Sequence, residues 1–345
     1  MPLSRRPRTT PAATETQILS ERSTRKPRGS GSEGGGPTGR LSRLTRESAT
    51  DFARRARENV TARTRSAARQ SVVRMRELRD QAREAMQPPA AQLPHLSLVR
   101  APSVPIARGA MGHEIRVASY NVHRWTGFNG RARPDAARAG FVISEIDADV
   151  IALQEVLRPQ EGDDPLEALC ESLGLHLAFA ATRMHKHGEL GNAILSRYPI
   201  TAISVLDISY SRIERRGALA AQFEGPAGPV GVIATHLSLV DRTRHRQVQQ
   251  LLEHPQLNTG PAVLVGDMNA WRRCKASQSL DVGLRQHNNF DWPATFPAAR
   301  PLLALDRIYA KGAEVLGLRV HDTPASRRAS DHLPVIARVS IEKER

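Results

Sequence analysis

Short apolar runs recur from about residue 113 onward, and most of them stop at a polar residue. EIRVASY (114–120), DVIALQ (149–154), LAFAAT (177–182), NAILSR (192–197), GALAAQF (217–223), GVIATHL (231–237), AVLVG (262–266), RIYA (307–310) and PVIARVSI (334–341) have the length and residue types of strands. Helical periodicity fits 134–147, where Pro134 suits a first helical position, and also 164–173 and 241–253. Strands alternating with helices predict an α/β or mixed α+β layered domain.

Before residue 113 the pattern changes. Residues 1–40, with GSGSEGGGPTG, hold too few large apolar side chains to offset ordering entropy, which predicts disorder. Residues 41–86 lack Gly and Pro, are rich in Ala and Arg, and predict a long helix with a thin apolar stripe. Five prolines in 87–112 predict an extended linker, which leaves 113–345 as the chemistry-bearing domain.

Charge sharpens this division. The chain carries a formal +15; residues 1–112 hold 22 Lys and Arg against 9 Asp and Glu, whereas 113–345 hold 28 against 26. The basic tail thus predicts attraction to a nucleic acid or an anionic membrane surface, and the near-neutral body reads as an ordinary monomeric enzyme. Two cysteines, Cys170 and Cys274, make neither a disulfide framework nor a metal cluster, and Cys170 reads as a small buried hydrophobe. Without an apolar signal core or a run of about 18 apolar residues, the expected location is cytoplasmic.

The polar residues at the strand ends carry the candidate chemistry. Asn121 follows the first strand, Glu155 the second, His236 ends GVIATH, and Asp267 and Asn269 follow AVLVG. Loops at the carboxyl ends of strands are where open sheets build sites. Asp306 and the Asp331–His332 pair stand instead at strand starts, so they join the others only if their strands run antiparallel. A single functional edge therefore predicts mixed sheets. A lone G-D-x-N also suits a turn, since Asp and Asn bond nearby backbone. On extended chain, Asp267 and Asn269 would point the same way.

Seven segments, SYNVH (119–123), ALQEV (152–156), GNAILSRYP (191–199), THL (235–237), GDMN (266–269), LDRIY (305–309) and SDHLPV (330–335), together resemble the endonuclease/exonuclease/phosphatase superfamily. The resemblance covers nearly all of 113–345 and says nothing of 1–112. It implies a four-layer α/β/β/α sandwich of two packed mixed sheets, and metal-dependent hydrolysis of phosphoric esters. Mg²⁺ is usually held by one or two carboxylates with waters and substrate phosphate, so Glu155 fits as principal ligand, with Mn²⁺ an alternative. By resemblance, Asn121 lies beside the metal and Asp331 assists. Asp267 orients or deprotonates the attacking water, Asn269 and His236 contact phosphate oxygens, and His332 stabilises the transition state or protonates the leaving oxygen. Asp306 fixes the His332 tautomer. His123 departs from the acid that apurinic endonucleases carry two residues after the asparagine.

Other residues stay open at this level. His185 and His187 read as loop or rim, Trp125, Trp271 and Trp292 as core with one or two at the substrate mouth. Arg215 and Arg216 either contact a phosphate or cover a sheet edge. Substrate alternatives are a small phosphodiester or monoester, DNA or RNA cut by an endonuclease, and a non-catalytic module binding nucleic acid or anionic lipid.

Overall fold

The computed structural model describes residues 93–107, 109–210, 214–284 and 291–341. The expectations for 1–40 and 41–86 lie outside these residues. In chain order the strands are β1 (His95–Arg100), β2 (Glu114–Asn121), β3 (Val150–Arg158), β4 (His176–His185), β5 (Gly188–Ser196), β6 (Ala202–Asp207), β7 (Gly217–Gly225), β8 (Gly228–His236), β9 (Ala262–Asp267), β10 (Asp306–Lys311), β11 (Glu314–Val320) and β12 (Val335–Ser340). Among the described residues four longer helices flank them, α1 (Ala136–Ile146), α2 (Pro165–Leu173), α3 (Asp241–Leu252) and α4 (Lys275–Gly283), with one short turn of helix at Ser326–Ala329. None is long and apolar enough to cross a membrane.

Seven strands form one sheet in the order β1-β4-β5-β3-β2-β12-β11, and five form the other in the order β10-β9-β8-β7-β6. Only β2–β3 and β8–β9 are parallel pairs, so both sheets are mixed. The antiparallel runs include the two that matter for the site. β10 pairs antiparallel with β9, setting Asp306 opposite Asp267, and β12 pairs antiparallel with β2, setting Val335 opposite Ser119. Strand starts bearing Asp306 and His332 therefore reach the edge where β2, β3, β8 and β9 end.

The layers follow from strand alternation. Ile115, Val117, Val150, Ala152, Val263 and Val265 face between the sheets in one buried cluster. Ala118, Tyr120, Ile151 and Leu153 point the other way, against Val142 and Ile146 of α1 and Leu166 of α2. Ile233 and Leu264 likewise meet Val248 and Leu251 of α3 and Leu280 of α4. A strand covered on both faces has no solvent side to mark with polar residues, which explains the continuous apolar runs. Cys170 is buried in the α1–α2 layer as expected.

Several local readings change. Asp135, whose side chain accepts from the Ala137 N–H, caps α1, so Pro134 precedes the helix instead of opening it. Pro165 does open α2, behind Asp164 as cap. Residues 95–100, read as linker, form β1 and pair with β4. β6 and β11 were likewise not legible as strands. All three are edge strands whose residues are mostly half-buried or exposed, so no apolar run marks them.

Gly266 leads the chain out of β9 with φ of 152°, and a Cβ there would stand 1.9 Å from the Thr235 carbonyl oxygen of neighbouring β8. Only glycine takes this backbone state and this approach without strain. Gly266→Ala is expected to lower unfolding stability by at least about 2 kcal/mol in chemical denaturation, from backbone strain and overpacking together. An unchanged midpoint would refute the steric argument.

Candidate active site

Asp267 is the last residue of β9 and is almost fully buried. One carboxylate oxygen, Oδ1, accepts the Asn269 N–H at 2.9 Å. The other, Oδ2, accepts from Asn121 Nδ2 at 3.2 Å and lies 3.4 Å from His236 Nε2 and 3.8 Å from His332 Nε2. The G-D-x-N segment is thus a turn and a polar focus at once. It also corrects the extended geometry: Asn269 is left-handed, φ 51°, and its Nδ2 donates to the Leu237 carbonyl at 2.9 Å.

His332 Nδ1 is 2.8 Å from Asp306 Oδ2, which also accepts from the Thr295 hydroxyl at 2.5 Å. Phe296 packs on the imidazole, ring centroids 4.9 Å apart. Ser330 binds the Asn121 carbonyl at 2.6 Å and accepts the His332 N–H at 3.2 Å, tying the start of β12 to the end of β2. Thr295 and Phe296 gave no distinct signal in the sequence, whereas Ser330 opens the SDHLPV segment without a legible role.

Burial sets the electrostatics. It pushes the Asp267 carboxyl up to about 6; His332 pulls that value back and Asp306 adds to it. For His332 burial disfavours the charged ring, but the carboxylates of Asp306 and Asp267 outweigh it and push the value up to about 10. His236 moves the opposite way, well below the ordinary histidine value, through burial and then Arg216, His332 and Arg183. One acid, one imidazolium and one neutral imidazole therefore meet within a few ångströms.

Glu155 and Asp331 form a second group. A register shift in the β3–β5 pairing lies between Leu153 and Val156, and Glu155 within it is left-handed, φ 52°. Its carboxylate is 3.5 Å from Arg124 Nε, and Asp331 is 3.2 Å from His123 Nδ1. Burial raises the Asp331 carboxyl above its ordinary range, and Glu155 adds to the rise. Glu155 and Asp331, each held by a cationic or protonatable neighbour, are oxygen donors of the kind a hard divalent cation takes. Asp267, Asp306 and His332 also present ligand atoms within 4.8 Å of one another. There the imidazole is already bonded through Nδ1 and favours its protonated form, which cannot ligate a metal.

Beside Glu155 opens a shallow cleft lined by Arg183, Asn192, Arg215, Arg216 and His236. His185 and His187 stand on the adjoining β4–β5 hairpin, ring centroids 5.4 Å apart. Trp125 is core, donating to the Leu157 carbonyl, and Trp292 packs on Tyr309. Trp271, two residues beyond Asn269, is exposed.

This geometry has relatives. The family model described as the endonuclease/exonuclease/phosphatase family matches residues 118–332, and the chain belongs to that family. It is similar to the uncharacterized protein YbhP of Escherichia coli strain K12, 33% identical over 250 residues, which span 66% of this chain and 96% of that protein. Among solved structures, the endonuclease/exonuclease/phosphatase of Beutenbergia cavernae DSM 12333 aligns with TM-score 0.53 and 25% identity over 66% of this chain and 72% of that one. The human Nocturnin catalytic domain with bound sulfate shares the fold at TM-score 0.51 and 21% identity, covering 67% of this chain and 96% of that one.

Because His332 titrates above the ordinary histidine value of about 6.5 when folded, its pairing stabilises the fold fully below that value. The contribution declines as pH rises through about 10. Asp306→Asn is expected to lower the ring pKa and flatten this alkaline decline. Nitrogen-detected NMR of the imidazole and unfolding curves between pH 6 and 10 check both, and an unmoved titration would refute the pairing.

Proposed function

We propose that this chain hydrolyses phosphoric esters with the help of a bound divalent cation, Mg²⁺ or Mn²⁺. The supporting observation is that environment pushes Asp267 and His332 into complementary protonation states on the same edge that carries Glu155 and Asp331. Groups whose surroundings drive their proton affinities apart are matched to base and acid roles.

Asp267, ionised above about pH 6, accepts a proton from the attacking water or holds it in line. His332, protonated across neutral pH, is equipped to donate: to charge growing on a phosphate oxygen, or to the leaving oxygen as its bond to phosphorus breaks. Asp306 fixes the ring through Nδ1 and Thr295 fixes Asp306. A neutral His236 with its proton on Nε2 donates toward Asp267 and steadies it. Asn269 spends one amide hydrogen on Leu237 and keeps the other for a phosphate oxygen. Glu155, Asp331 and the Asn121 side-chain oxygen Oδ1 would hold the cation, which would supply charge neutralisation at the phosphate. In family members the reaction class is hydrolysis of phosphoesters.

The decisive measurement is hydrolysis of a simple phosphodiester reporter with Mg²⁺, Mn²⁺ or a chelator. Activity is expected to vanish in chelator, and Glu155→Ala to weaken both rate and metal dependence. Full activity of that variant in chelator would remove the metal role. Asp267→Asn and His332→Ala are each expected to cut kcat by about 10² or more with folding retained. In the parent, kcat/KM should fall below about pH 6 and again as pH nears about 10.

A further inference from the structure

Of the guanidiniums lining the cleft beside Glu155, one is left without a carboxylate of its own among the described residues. Three guanidiniums, Arg183, Arg215 and Arg216, line it with a single carboxylate, Glu155. Two of the three have other partners: Arg215 is 3.6 Å from Asp207, and Arg216 is 3.0 Å from Glu214. Arg183 has no ion pair and no side-chain hydrogen bond among the described residues. Desolvation and then Arg216 disfavour its charged form, against Glu155 and Glu214, which favour it. Arg124 is itself taken by Glu155 and His123.

Bulk composition does not produce this cluster, because residues 113–345 carry only two more basic than acidic residues. An exposed arginine on a near-neutral domain ordinarily turns toward a carboxylate or open solvent. Here like charges share one concavity, and Asn192 is held at its wall by a 3.0 Å bond to the Gly217 carbonyl. Guanidinium forks match phosphate oxygens in planar, two-pronged pairs. We infer that Arg183, with Arg215 and Arg216, forms a subsite for a second phosphate group of the substrate, next to the phosphate that is hydrolysed. The preferred substrate class is then a phosphoester bearing an adjacent phosphate, as in a 3′-phosphorylated nucleotide or a phosphorylated inositol, and esters of a cationic or neutral alcohol are disfavoured. This rests on the phosphoester reading above and adds the substrate class to it.

Two measurements on the full chain test it separately from that reading. The first compares the p-nitrophenyl ester of thymidine 5′-phosphate with the same ester carrying a 3′-phosphate, and with an inositol phosphodiester with and without a ring phosphate. Wild-type kcat/KM should favour the two-phosphate member of at least one pair by about tenfold or more, chiefly through KM, the size of one charge-assisted contact. The pair that responds identifies the source of the second phosphate. Arg183→Gln should bring the ratio close to one, and Arg183→Lys should restore part of it. Arg183 is exposed and without an ion pair, so the fold should tolerate both changes.

The second measurement is calorimetric binding of inorganic pyrophosphate without turnover, expected to weaken about tenfold in Arg183→Gln. If no ester is hydrolysed yet pyrophosphate binding depends on Arg183, the catalytic reading falls and the anion subsite stands. If reporters are hydrolysed with a wild-type ratio near one, or pyrophosphate binds both proteins equally, the subsite is overturned.

Discussion

The hydrogen bond from Asn121 Nδ2 to Asp267 Oδ2 joins the two sheets at their functional edge. Asn121 ends β2 of the seven-stranded sheet and Asp267 ends β9 of the five-stranded one. Between the sheets the packing is apolar and non-directional. A buried amide–carboxylate contact is directional, and losing it strands a polar group away from water. His236 and His332 take their positions around the same oxygen, and Ser330 returns to the Asn121 carbonyl. Asp267, His236, His332 and Ser330 are thereby referred to one junction.

That junction is costly to the fold. A carboxyl whose folded pKa lies above its unfolded value loses stability as pH rises through it, so an ionised Asp267 weakens the native state at neutral pH. His332 works in the other direction, since its charge is favoured by the carboxylates that crowd it. Backbone strain gathers in the same place. Of the non-glycine residues with positive φ among those described, His123, Arg124, Trp125, Glu155 and Asn269 all lie in or beside the site, and Asp147 caps a helix. Unfavourable φ persists where surrounding contacts overdetermine it, and here it aims Glu155 from a bulge in β3 and folds Asn269 back onto Leu237.

Residues whose position follows from strand direction were legible in the sequence. Asp306 and His332 at strand starts required antiparallel β10 and β12, and a mixed pair of sheets is what the chain forms. Residues that act by lateral contact were silent. Thr295 and Phe296 sit in a loop with no periodicity, yet they hold Asp306 and the His332 ring. Arg183 looks like any strand-end arginine until β5 and β7 bring Asn192 and Arg216 beside it. β1, β6 and β11 escaped because an edge strand buries too little to write an apolar run. Asn269 was legible as a residue but not as a geometry, because a turn and a ligand-facing segment are spelled alike.

The entry of the chain into the fold adds a last consequence. Pro94 precedes β1, and its side chain comes within 3.0 Å of where a Cβ on Gly217 would stand. Gly217 lines the arginine-walled cleft. The described chain therefore enters the domain beside the cleft. Fields from exposed charges are screened within about 8 Å at physiological salt, so Arg183, Arg215 and Arg216, which line the cleft, outweigh more distant basic residues there.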